Sequence, residues 1–160
     1  MSLGATGRLM IEGEFESLKA IHAVSPELTP EPLAWGKYDQ EEPETYFLLA
    51  QFREVGEQPP DAVKFTARLA DMHKRSVSPT GKFGFHTTTC HAKLPQVTNI
   101  WEESWSVLYQ KQLAQMVKLD EDKHGIWPEF QHVCRLTIEK GMSLQVCCDD
   151  IKAFIRLLVD

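Results

Sequence analysis

Apolar and polar positions change rhythm several times along the chain, and each change predicts an element. Over residues 8–24, Met10, Glu14, Leu18 and Ile21 recur at helical spacing, widened by Ile11 and Phe15. Glu12, Glu16 and Lys19 form the polar side, so an amphipathic helix is predicted. Glu14 stands out because it is a carboxylate on the apolar stripe. Burying it unpaired is costly, so it either reaches water at the stripe edge or meets a cation from a neighbouring strand. No nearby lysine is an obvious partner.

Residues 25–32 carry three prolines and read as a loop. Residues 33–38 then read as a short strand, and residues 39–44 as an acidic turn. Residues 45–52 form the most apolar β-like run of the chain, so the two runs predict an antiparallel hairpin packed on the first helix. Residues 53–60, with Gly56, Pro59 and Pro60, are a linker. Asp61 is a suitable N-cap for a helix to about Arg75, with Phe65, Leu69 and Met72 on its apolar face. Lys74 and Arg75 suit its negative end.

Residues 82–105 follow none of these rhythms. They are too polar at the centre for a core strand and too aromatic for a plain linker. Beyond them, Trp101, Trp105, Leu108, Gln112 and Met116 predict a helix over about 101–119. A charged turn follows at 120–125. Pro128 begins another helix to about Lys140, with Phe130, Val133, Cys134 and Thr137 inward and Gly141 as its stop. Residues 143–148 alternate weakly as a strand would. Asp149 or Asp150 can cap a last helix through Ile151, Phe154, Ile155 and Leu158.

Composition narrows the function classes. The chain has 160 residues, 42% hydrophobic and 25% charged, enough for a packed core of one domain or one domain in two lobes. Its net charge is −6 and no basic stripe is visible, which argues against nucleic-acid and anionic-membrane partners. No 18-residue apolar run exists and the N-terminus lacks a signal-peptide pattern. Cys90, Cys134, Cys147 and Cys148 form no CxxC pair, so reduced thiols and a cytoplasmic location are expected. His86, Cys90 and His91 have metal-ligand residue types, but they crowd within six residues with no second pair, and no metal is expected. There is no Gly-rich phosphate loop, no G-x-S-x-G and no H-E-x-x-H. His124-Gly125 is followed by isoleucine, not by a catalytic aspartate.

The string Lys82-Phe83-Gly84-Phe85-His86-Thr87-Thr88-Thr89-Cys90 supplies what composition does not. With Pro95-Gln96-Val97, Trp101, Gly13-Glu14-Phe15-Glu16-Ser17-Leu18 and Ala70-Asp71-Met72-His73, it closely resembles the fructosamine-3-kinase family of ketosamine and protein-ribulosamine 3-kinases. The likeness covers roughly residues 7–140. It implies an α+β, protein-kinase-like fold similar to aminoglycoside and choline kinases, here partial. Residues 1–55 would be part of the N-lobe (helix and hairpin) and the hinge, 56–140 the start of the helical C-lobe, and 141–160 a divergent tail. The implied activity is phosphorylation of the 3-hydroxyl of ketosamines on glycated lysine or protein, with ATP and magnesium. The product decomposes and removes the glycation.

By the same resemblance, Glu14 corresponds to the helix glutamate that pairs with an ATP-positioning lysine. Leu49, Ala50, Gln51 and Phe52 correspond to the hinge, whose backbone meets adenine. His86, Thr87 and Thr88 would border the substrate. The family's Gly-rich loop and lysine would precede residue 1, and its His-Gly-Asp loop and magnesium ligand would follow residue 140. Phosphoryl transfer needs metal, lysine and base together. The chain is therefore expected to be a partial kinase that does not transfer phosphate by itself, with exposed apolar faces around Phe47, Leu49, Trp101 and Trp105.

Overall fold

The structure is a computed structural model that describes residues 2–39 and 42–141. The strand expected at 143–148 and the last helix lie outside the described residues. The chain separates into two compact units, Met1–Val77 with Thr87–Pro95 and Ser78–His86 with Gln96–Asp160.

In the first unit, α1 (Gly4–Val24) packs on a three-stranded antiparallel sheet. Its strands are β1 (Ser2–Leu3), β2 (Pro32–Lys37) and β3 (Thr45–Ala50), in the order β1-β3-β2. The apolar run is thus the central strand. Trp35 stands opposite Leu48, Gly36 opposite Phe47 and Lys37 opposite Tyr46. Phe47 lies over Gly36, where an added Cβ would come within 3.1 Å of its ring, and its ring also meets Tyr38 at 5.2 Å. Lys37 Nζ donates to Glu44 Oε1 at 2.5 Å across the turn of the hairpin. This bond raises the pKa of Lys37 and lowers that of Glu44. Both groups face solvent, so the pair contributes little to stability.

Ile11 and Tyr46 are the buried apolar side chains among the described residues of this unit. The buried positions of α1 are Gly7, Ile11 and Gly13, so the helix is turned away from the predicted stripe. Glu14 is exposed, on the solvent side of the two alternatives its sequence position allowed. The reason is close approach. Gly13 meets β5 (Thr89–His91) so tightly that a Cβ there would lie 2.6 Å from the Thr88 carbonyl oxygen. A glycine contact carries no hydrophobicity, and periodicity cannot see it. β5 pairs with β6 (Leu94–Gln96) across a turn in which Ala92 has φ 51°, a left-handed conformation unusual for alanine.

α2 (Ala62–Arg75) begins and ends where its capping residues predict. The Asp61 carboxylate accepts from the Lys64 N–H at 2.9 Å. No residue of α2 is fully buried, so packing contributes little and the cap matters more than usual. Asp61→Ala is expected to cost the helix about 1 kcal/mol. Amide exchange over residues 62–65 should quicken several-fold, and unchanged exchange would refute the capping role. Residues 51–60 are exposed and without regular structure, as the linker composition predicts.

In the second unit, β4 (Phe83–Gly84) pairs antiparallel with β7 (Trp101–Glu102). α3 (Trp105–His124) follows, then α4 (Pro128–Leu136) and a π-helical turn, Thr137–Gly141. Three expectations change here. Trp101 lies in a strand, not on the helix, while Trp105 opens the helix and stacks on Tyr109 at 4.9 Å. The charged residues 120–124 are helical rather than a turn. The pairs Lys118–Asp122 and Asp120–His124 sit one helical turn apart, and Gly125, at φ 85°, ends the helix. On α4, Phe130 and Val133 are exposed, as is Thr137 just beyond it, and the half-buried positions of α4 are Gln131, Cys134 and Leu136. Leu108 is the buried apolar residue among the described residues of this unit.

Candidate functional site

The residues singled out by sequence divide between the two units. Glu14, residues 49–52, Thr87 and Thr88 belong to the first, and His86 to the second. Within the first, the hinge-like segment leaves the sheet at Ala50, which stands opposite Pro32. The Gln51 N–H donates to the Glu31 carbonyl at 2.8 Å and is therefore engaged. Phe52 is 89% exposed and Leu49 52%. Next to the segment, the Arg53 guanidinium donates to the carbonyls of Pro26 and Glu27 at 2.8 and 2.9 Å, which ties it to the loop after α1.

Glu14 sits on the exposed side of α1 and forms no ion pair among the described residues. Its neighbours on the helix do pair, Arg8 with Glu12 at 3.5 Å and Lys19 with Glu16 at 3.8 Å. One residue away, Gly13 receives the backbone of Thr88 and Thr89. The threonine string is thereby held against the helix that carries Glu14. Thr87 and Thr88 are half-buried. Burial raises the pKa of Cys90, which favours its protonated thiol.

In the second unit, the Phe-Gly-Phe-His string is held by backbone. Gly84 stands opposite Trp101, and the Phe85 N–H donates to the Thr98 carbonyl at 2.8 Å. His86 is exposed, with its ring 4.4 Å from that of Phe85. Lys82 pairs with Glu103 at 2.7 Å, and this bond raises the lysine pKa. Lys111 pairs with Glu102 at 2.5 Å. Val97 is gripped at both its backbone groups. Its N–H donates to Gln115 Oε1 at 2.9 Å, and its carbonyl accepts from Gln112 Nε2 at 3.0 Å. These two glutamines are positioning residues that motif reading overlooks. Their signal is weak but present, an amide at i and i+3 on the apolar side of α3. Among the described residues no group of three His, Cys, Asp or Glu side chains could hold a metal ion.

The profile of the fructosamine kinase family matches residues 4–146. The chain belongs to that family. Relatives include the chloroplastic protein-ribulosamine 3-kinases of Oryza sativa subsp. indica and subsp. japonica. Each is 31% identical over 108 residues, which is 68% of this chain and 30% of the relative. The chain thus spans less than a third of the length of these curated relatives. Fructosamine kinase membership implies a kinase-like fold, and helices with small antiparallel sheets fit a partial α+β domain of that kind. It also marks the chain as kinase-related. Among the described residues, no helix is long and apolar enough to cross a membrane.

Proposed function

We propose that this chain carries the adenine-facing and substrate-bordering part of an ATP-dependent kinase acting on the 3-hydroxyl of protein-bound ketosamines, a deglycation repair activity. The family match across 4–146 is the observation that carries this reading. The names of the rice relatives favour ribulosamine as the sugar. Within the proposal, residues 1–55 act as the N-lobe portion and hinge, and residues 56–140 as the opening of the C-lobe. A cytoplasmic location, read from the unpaired cysteines, goes with it.

ATP and magnesium are the cofactors this family implies, and the residues of the chain fit them unevenly. An adenine edge needs backbone donors and acceptors rather than particular side chains. Phe52 is exposed, whereas the Gln51 N–H is taken by Glu31. We therefore assign adenine contact to the backbone of Phe52, with Leu49 and Ala50 beside it. The phosphates and magnesium find no matching set. The 160 residues hold no Gly-rich loop and no His-Gly-Asp string, and Glu14 has no cation among the described residues. His86, Thr87 and Thr88 offer a ring nitrogen and hydroxyls to a polyhydroxylated ligand.

The exposed, unpaired Glu14 favours a second reading for the chain taken alone, namely binding without phosphate transfer. Purified chain with ATP, magnesium and ribulosyl-lysine should consume no ATP above background. It should retain weak adenine-nucleotide binding, read by calorimetry. Turnover would overturn the binding-only reading, and absence of nucleotide binding would remove the hinge assignment.

A further inference from the structure

The segment assigned above to adenine is anchored on both sides of one residue. On one side, the Gln51 N–H donates to the Glu31 carbonyl at 2.8 Å. On the other, the Arg53 guanidinium donates through Nη1 to the Glu27 carbonyl at 2.9 Å and through Nη2 to the Pro26 carbonyl at 2.8 Å. Phe52 stands between the anchors. It is exposed, and among the described residues its own N–H and carbonyl make no hydrogen bond. We propose that Arg53 is a positioning residue that fixes the Phe52 backbone against the loop after α1 and so presents that backbone to the edge of a planar ligand such as adenine. The adenine part of this inference rests on the hinge reading, and the fixing of the backbone does not.

Three observations point to that role. The first is the choice of partner. Glu54 and Glu57 follow Arg53 closely in sequence, yet among the described residues its guanidinium forms no ion pair. It goes instead to two neutral carbonyls, 26 and 27 positions back along the chain. Geometry rather than charge therefore selects these partners. The second is the shape of the donor. A guanidinium is a rigid plane with its donors in a fixed fork, so bonds to two successive carbonyls set its tilt as well as its distance. A single bond would leave the segment free to swing about it.

The third is the firmness of the anchor. The loop after α1 has its own internal bonds. Ser25 is buried, its N–H donates to the Ile21 carbonyl at 2.8 Å, and its carbonyl accepts from the Leu28 N–H at 3.1 Å. The Glu27 carboxylate pairs with Arg68 of α2 at 3.1 Å, which leaves the Glu27 carbonyl to Arg53. Arg53 thus joins the segment to the end of α1. With Gln51 held to Glu31 as well, Phe52 has a fixed peptide neighbour on each side while its own polar groups stay unengaged among the described residues.

Arg53→Ala and Arg53→Lys in the full chain test this. The Gln51 amide reports on the segment, because its bond to Glu31 opens when the segment swings away. In Arg53→Ala, exchange at Gln51 should quicken about tenfold, while exchange over the middle of α1 stays unchanged. Arg53→Lys keeps the charge but reaches one carbonyl at a time, so exchange there should quicken about threefold. Affinity for ATP with magnesium, read by calorimetry, should fall in the same order and by similar factors. A ligand that needs one backbone arrangement binds in proportion to the fraction of chains presenting it. Equal Gln51 rates in the variants and the unaltered chain overturn the proposal. A lysine variant equal to the unaltered chain also overturns it, since charge alone would then suffice. Quickened exchange with unchanged ATP affinity overturns the role in presenting the backbone. If the unaltered chain binds no ATP, the hinge reading falls, and the Gln51 rates still decide whether Arg53 fixes the segment.

Discussion

Gly84→Ala will destabilise the second unit by about 3–5 kcal/mol and separate β4 from β7. A Cβ at Gly84 would lie 1.8 Å from the Ile100 carbonyl oxygen and 2.9 Å from its carbon. Gly84 also has φ 148°, a region that side chains with a Cβ rarely adopt. The obstructing atoms are backbone and cannot rotate away. They are fixed by the pairing of Gly84 with Trp101 and by the Phe85 N–H bond to Thr98 just beyond. Relief therefore requires loss of the pairing itself. Urea denaturation of the variant beside the unaltered chain would show the lower midpoint, and amide exchange at residues 83–85 would locate it. A midpoint within experimental error of the original would mean that the ribbon is looser than this geometry. The glycine of the fingerprint is thus explained by close backbone approach.

Gly13 tests a competition between two effects of opposite sign. Alanine in a helix interior is favoured over glycine by about 1 kcal/mol. At this position the added Cβ would sit 2.6 Å from the Thr88 carbonyl oxygen and 3.1 Å from the Thr89 Cα. Overpacking of that kind costs about 1–3 kcal/mol. The contact wins narrowly for alanine, so Gly13→Ala should lose about 1 kcal/mol net. Gly13→Val adds two methyl groups beyond the alanine Cβ and gives up the helix-propensity gain, so it should lose about 3 kcal/mol. The order glycine, alanine, valine in denaturation midpoint is the prediction. A stabilised alanine variant would show that α1 and β5 can move apart freely.

These two glycines also mark the limit of what could be read from the sequence. The hairpin was legible because β2 and β3 are consecutive apolar runs around an acidic turn. α2 was legible because Asp61 begins it and Lys74 and Arg75 close it. The orientation of α1 was not, since its buried side is made at Gly7 and Gly13, and the conspicuous Glu14 faces water. The ribbons β4–β7 and β5–β6 use strands of two or three residues, too short for any period. The start of α3 was misplaced because Trp101 and Trp105 are one turn apart in sequence. The helix begins after Ser104, whose hydroxyl meets that of Ser106 and makes no side-chain cap bond. The motif residues carried the family resemblance, and the family match bears that resemblance out. In the candidate site, the glutamine grip on Val97 was not legible, because it joins residues 15 and 18 positions apart.

The chain passes between its two units three times, after Val77, after His86 and after Pro95. Neither unit is therefore a module that can be cut out as one length of polypeptide. A recombination at the proline-rich linker would carry α1 and its sheet into a new protein and leave behind Thr88 and Thr89, the backbone that fills the space beside Gly13. The transplanted helix would present a bare glycine surface to solvent. Interleaving of this kind penalises shuffling, so the helix and the fingerprint string are expected to be inherited together or lost together.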